Sequence, residues 1–170
     1  MHKDNIVLIG MPGVGKSTVG VILAKVMGYQ FIDADLLIQQ QEKRLLHEII
    51  ADVGVDGFVQ VENRVNASIQ AERSIIATGG SVVYSPEAMA HLGSMGTVVY
   101  LKLGYNALAR RLGSLKKRGV ILRPGQTLKT LYQERTPLYA QYAHLTVDCG
   151  GQDVEQSVAL ILQRLREMHL

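Results

Sequence analysis

The chain has no tryptophan, two phenylalanines, four prolines and one cysteine, Cys149. A single cysteine excludes an intramolecular disulfide framework and points to a reducing compartment; Cys149 itself is expected to be an ordinary buried residue. With aromatics at 5% of the sequence, a surface of stacking platforms for single-stranded nucleic acid is not expected. No stretch approaches the roughly 18 apolar residues of a membrane span. The first apolar run, Ile6 to Ile9, is too short for a signal-peptide core and stops at Gly10. Internal repeats and low-complexity segments are absent too. These absences predict a soluble, cytoplasmic protein with neither membrane nor nucleic acid as partner, and nothing demands more than a monomer.

What is present fits one domain over residues 1–170. Hydrophobic residues at 47% and charged residues at 19% exclude a disordered chain. A chain of this size buries on the order of 70% of its unfolded surface and needs no covalent or metal staple. The net charge of +3 is mild, but it is unevenly spread. Arg110, Arg111, Lys116, Lys117, Arg118 and Arg123 crowd into one segment, which suggests an anionic ligand nearby.

The pattern alternates short β-rich runs with longer helical ones. Strands are predicted at Asn5–Ile9, Tyr29–Ile32, Ser74–Ala77, Thr97–Leu101 and Leu145–Val147. Helical spacing covers Lys16–Met27, Leu36–Ala51, Gly57–Ala71, Glu87–Leu92, Tyr105–Leu112, Leu128–Ala143 with an interruption at Pro137, and Val154–Met168. Gly113–Gly125 is polar, basic and glycine-marked, and is predicted to be a mobile loop. Five strands alternating with helices predict a three-layer α/β/α fold around a parallel sheet. Ligands of such sheets bind beyond the carboxyl ends of the strands, here after Ile9, Ile32 and Ala77.

The strongest motif stands at the first of these ends. Gly10-Met11-Pro12-Gly13-Val14-Gly15-Lys16-Ser17 fits the phosphate-binding loop, and it follows a predicted strand and opens a predicted helix. Its glycines let successive N–H groups face one centre, to which the helix N-terminus adds a positive field. Gly13, Val14, Gly15, Lys16, Ser17 and Thr18 are the expected ATP contacts, with Lys16 reaching the outer phosphates and the Ser17 hydroxyl on Mg²⁺. The competing explanation is a plain glycine-rich turn.

At the second end lies Phe31-Ile32-Asp33-Ala34-Asp35. Residues i and i+2 of an extended segment project to one side, so both carboxylates can enter one cleft. One would hold Mg²⁺ through water, while the other would orient an acceptor hydroxyl and take its proton. Alternatively, one of them simply caps the following helix. The third end carries Thr78-Gly79-Gly80-Ser81, where glycines allow close approach to backbone N–H groups. Arg110 and Arg123 are candidates to close over the phosphates. Arg135, beside the bend at Pro137, is a candidate anion clamp; a surface arginine is the plainer alternative.

Taken in order, these segments resemble shikimate kinase, over nearly the whole chain. The phosphate loop is shared by many ATPases, but Phe31 to Asp35, Gly79-Gly80, Arg123-Pro124 and Arg135-Thr136-Pro137-Leu138-Tyr139 are more specific. The resemblance implies a five-stranded parallel sheet, a substrate-binding helical region over about 34–62, a lid over about 113–125, and transfer of the ATP γ-phosphoryl group to the shikimate 3-hydroxyl. Under it, Lys16 and Ser17 serve phosphate and Mg²⁺, Asp33 supports Mg²⁺, and Asp35 binds the acceptor hydroxyl as candidate base. Gly79 and Gly80 contact the substrate, Arg123 is the lid arginine, Arg110 lies on the nucleotide side, and Arg135 binds the substrate carboxylate.

Two positions depart from the family pattern Gly-Glu-x-x-Phe-Arg-x-x-Glu and its glycine triplet. Phe58 and Glu62 keep the register, but Val59 replaces the arginine that grips the shikimate carboxylate, and Ser81 stands in the third glycine's place. Removing one partner of a buried charge pair costs on the order of 2–5 kcal/mol. Arg135 alone is one way to hold the carboxylate; Arg64 or Arg44 reaching in from a neighbouring turn is another. Two alternatives therefore stand beside a shikimate kinase: a kinase for another small alcohol, and a nucleotide-binding relative without catalysis.

Overall fold

The computed structural model describes residues 4–113, 120 and 122–168. Five strands form one parallel sheet: β1 (Asn5–Ile9), β2 (Gln30–Asp33), β3 (Ser74–Ala77), β4 (Gly96–Lys102) and β5 (Leu145–Asp148). Their order is β2-β3-β1-β4-β5. Every residue of β1 and β3 is buried. Successive side chains of a strand point to opposite faces, so helices must cover the sheet on both sides. Strand order reverses beside β1, and the crevice expected at such a point opens at its carboxyl end, at Gly10.

The helices are α1 (Lys16–Met27), α2 (Ala34–Glu42), α3 (Leu46–Ala67), α4 (Pro86–Met95), α5 (Tyr105–Leu112), α6 (Leu128–Tyr142) and α7 (Val154–Glu167), with a short 3-10 turn at Val82–Tyr84. The main core gathers around β1, β3 and β4. A second, smaller cluster of Ile38, Ile49, Phe58 and Val65 ties α2 to α3 and makes one wall of the crevice.

Several element ends shift by one to four residues from the sequence expectation, and three helical features depart from it further. The single helix expected over Leu36–Ala51 is divided, because Lys43 takes a left-handed conformation (φ 54°) and caps α2. The Glu48 carboxylate then accepts from the Leu45 N–H (2.8 Å) at the start of α3. The gap expected between the two helical runs is a bend within α3 instead, at Gly54 (φ 73°, ψ 178°). The interruption expected at Pro137 is absent: α6 runs through it. Proline removes one helical hydrogen bond, but Arg135 and Tyr139 on either side are buried, and their packing holds the helix together. The expected lid falls largely outside the described residues, which exclude 114–119 and 121 and with them Lys116, Lys117 and Arg118.

Candidate active site

The loop from Gly10 to Gly15 joins β1 to α1. Gly15 sits at φ 99°, a conformation open to glycine, and turns the chain into the helix. The Lys16 side chain folds back along the loop, and its ammonium donates to the Gly10 and Met11 carbonyls at 2.7 and 3.0 Å. Burial lowers its pKa to about 8, partly offset by the nearby Asp35 carboxylate. Leu112 of α5 closes against Gly13, and Arg111 donates to the Val14 carbonyl at 3.1 Å. Thr18 and Arg110 are exposed.

Asp33 serves two elements at once. One carboxylate oxygen caps α2, accepting from the N–H groups of Asp35 (2.9 Å) and Leu36 (3.2 Å). The other accepts from the Ser17 hydroxyl at 3.1 Å. Asp33 is thus the helix cap foreseen in the sequence and, with its second oxygen, a partner of the phosphate loop's serine. Asp35 is held in the first turn of α2 and points toward Gly79. Its pKa is raised, first by burial and then by the charge of Asp33.

Gly79 and Gly80 follow β3 and form the floor of a cleft of about 650 Å³. A side chain on Gly79 would collide with Glu62 and lie 2.9 Å from an Asp35 carboxylate oxygen. One on Gly80 would meet the Arg135 guanidinium and Pro12, each at 2.9 Å. The phosphate loop, Asp35, Glu62 and Arg135 therefore converge on two residues that must lack a Cβ. Arg135 is 8% exposed, and its guanidinium lies over the Tyr84 ring, 5.3 Å from the centroid.

The shikimate kinase family model matches residues 12–166. Shikimate kinase 2 of Yersinia enterocolitica is 36% identical over 96% of this chain and 97% of its own. The shikimate kinase of Nitrosomonas europaea is 38% identical over 96% of this chain and 79% of its own. The Acinetobacter baumannii shikimate kinase, solved in complex with shikimate, superposes with a TM-score of 0.86 at 30% identity, covering 98% of this chain and 94% of that one. The chain belongs to the shikimate kinase family. Its five-stranded parallel α/β fold is the fold of that family's solved structures.

Against the family pattern, the structure locates both departures at one place. Val59 faces a small cavity of about 30 Å³ that it shares with Phe58, Ser81, Tyr84, Arg123 and Arg135. Neither proposed stand-in for the missing arginine reaches it. Arg64 pairs with Glu42, and Arg44 pairs with Asp52 at 3.0 Å while donating to the Glu48 carbonyl. Both are on the outer surface, where solvated pairs form more cheaply than a guanidinium can be buried. Arg123 does approach this side, pairing with Asp56 on α3 at 2.5 Å.

Sequence reasoning gave no role to several residues that build the cleft. Glu62 is 1% exposed, and burial raises its pKa to about 7. Tyr139 donates to the Gly80 carbonyl at 2.6 Å. Tyr84 donates to Glu134 at 2.7 Å and accepts from the Arg135 Nε at 3.3 Å. Arg111, not Arg110, bonds to the phosphate loop. Glu62 falls one turn after Phe58 and Val59, so a carboxylate at that spacing on an otherwise buried face was the available signal. No helix among the described residues is long and apolar enough to cross a membrane.

Proposed function

We propose that this protein transfers the γ-phosphoryl group of ATP to the 3-hydroxyl of shikimate, giving ADP and shikimate 3-phosphate. The observation that carries the assignment is that Asp35, Arg135 and Pro12 of the phosphate loop line one cleft together with Gly79 and Gly80, with the buried Lys16 ammonium within electrostatic reach of Asp35 and Arg135. Residues Gly13 to Thr18 cradle the phosphates, and Lys16 exchanges its loop carbonyls for phosphate oxygens. Asp35 orients the acceptor hydroxyl and takes its proton as the oxygen attacks phosphorus. The bond to the bridging oxygen breaks, and its electron pair leaves with ADP.

Ser17 and Asp33 suit Mg²⁺, since a hydroxyl and a carboxylate oxygen 3.1 Å apart are hard ligands for an ion that keeps several waters. When bound, the ion would neutralise charge on the phosphate oxygens. Arg135 meets the acceptor's carboxylate, and the Gly79 and Gly80 backbone lies against its ring. Arg123 stabilises the transferring group after leaving Asp56, a solvated pair that costs little to break. Arg110 borders the nucleotide from α5. The enzyme works as a monomeric single domain over 1–170 in the cytoplasm, where ATP is made. Its partners are small molecules, not nucleic acid or membrane, and the segment 34–62 forms the acceptor wall.

A second reading keeps the reaction and changes the acceptor. Val59 favours it, because a neutral side chain stands where the family pattern has an arginine and leaves Arg123 and Arg135 as the cations of that cavity. A coupled ADP-release assay separates the two. Turnover at millimolar shikimate is expected; none, from protein that binds ATP, would remove shikimate as the acceptor.

A further inference from the structure

The Glu62 carboxylate is the most buried acid of the cleft, and no cation lies within ion-pair distance of it among the described residues. Its direct side-chain partner is Ser81, whose hydroxyl donates to Oε1 at 2.6 Å. Its second oxygen lies against Gly79, on the side of Asp35. Val59 precedes Glu62 by three residues on α3, so the two side chains are neighbours on one face of the helix. Ser81 and Arg135 line both the main cleft and the small cavity that Val59 faces. An arginine at 59 would reach the same carboxylate, and a glycine at 81 would offer it nothing. The two departures from the family pattern thus meet at one acid.

We propose that Ser81 is a positioning residue of the acceptor site: its hydroxyl holds the Glu62 carboxylate that an arginine at position 59 would otherwise engage, and this leaves Arg135 as the guanidinium that meets the acceptor's anionic group. The proposal rests on the small-alcohol kinase reading and deepens it. A buried carboxylate stripped of its partner moves or takes up a proton, and Glu62 has neighbours that respond. Lys16 on α1, Asp35 on α2 and Arg135 on α6 all act on it electrostatically, while its own backbone carbonyl is bonded by Asn66. Losing the hydroxyl therefore disturbs first the place where the acceptor sits, because the Glu62 carboxylate is bonded to Ser81 and lies against Gly79, and among the described residues makes no hydrogen bond to the phosphate loop. One guanidinium in place of two also means weaker selection for a carboxylate on the acceptor.

A double-mutant cycle on the intact chain tests this, with Ser81→Ala, Val59→Arg and the two combined, each assayed with Mg-ATP and shikimate. Ser81→Ala is expected to raise KM for shikimate about tenfold with KM for ATP unchanged, and Ser81→Thr, which keeps the hydroxyl, to stay near wild type. Val59→Arg added to Ser81→Ala should recover most of that loss and widen the preference for shikimate over the corresponding triol lacking a carboxylate. Independent, multiplying effects of the two substitutions would overturn the proposal, as would equal shifts in both KM values. Wild-type protein inert toward shikimate would sink the acceptor assignment alone. The cycle is then read by thermal melting without acceptor: recovery of the Ser81→Ala loss by Val59→Arg, and its absence in a Glu62→Gln background, support the pairing, whereas additive losses refute it.

Discussion

Arg135 and Tyr139 stand one turn apart on α6 and hold Gly80 from two sides. The guanidinium lies over the Cα position, and the phenol donates to the carbonyl at 2.6 Å. Pro137 lies between them on the exposed side of the same helix. The acceptor floor is therefore fixed by a helix distant in sequence from the strand that carries it.

Tyr139→Phe tests that grip. It removes the only phenol reaching the Gly80 carbonyl among the described residues and leaves that half-buried group without its partner, which costs about 1 kcal/mol. Urea denaturation should show this loss. KM for shikimate should rise with it, while ATP affinity by calorimetry stays put.

Gly80→Ala should be worse for the acceptor than for the fold. The new methyl would meet the Arg135 guanidinium and Pro12 at 2.9 Å, and both would have to shift. We expect shikimate turnover to fall at least about tenfold, since each 1.4 kcal/mol of lost transition-state binding is one decade. Isothermal titration with ATP should remain close to wild type.

Asp35→Asn separates chemistry from stability. Proton transfer by a placed carboxylate contributes about 10²- to 10⁴-fold, so kcat should drop within that range. Burial and Asp33 raise the Asp35 pKa, which marks its charge as unfavourable to the fold. The variant should therefore be at least as resistant to urea as wild type. Unchanged kcat would remove Asp35 as the base.

The pH dependence of stability should carry the mark of Glu62. Its pKa rises from 4.5 to about 7 on folding, so the folded state binds the proton more tightly than the unfolded chain. The contribution is full below pH 4.5 and is lost as pH rises through about 7. The amplitude is on the order of 3 kcal/mol. Glu62→Gln should flatten the decline over that window, and urea melts at stepped pH would reveal a persisting slope if another group were responsible.

Much of this was written in local patterns. The phosphate loop, Asp33 and Asp35 announce themselves because their spacing is short and their chemistry follows from a strand end or a helix start. The strands were legible because a parallel sheet covered on both faces demands unbroken apolar runs, as in Ile6 to Ile9. Tyr139 and Glu62 stand within recognisable motifs, but their roles were hidden, since each acts on a glycine far along the chain, Gly80 and Gly79. Pro137 misled because local propensity yields to the packing of Arg135 and Tyr139. Lys43 misled because nothing in its side chain advertises a positive φ.

The sheet order has a geometric outcome. With β3 lodged between β1 and β2, the donor loop, the glycine floor and the aspartate pair hang from three adjacent rungs, each about 4.8 Å from the next. The hydrogen-bond ladder thus works as a ruler that sets how far phosphorus must travel. The α2–α3 wall stands outside that ruler, so a lineage can rework which alcohol it admits without recalibrating the jump.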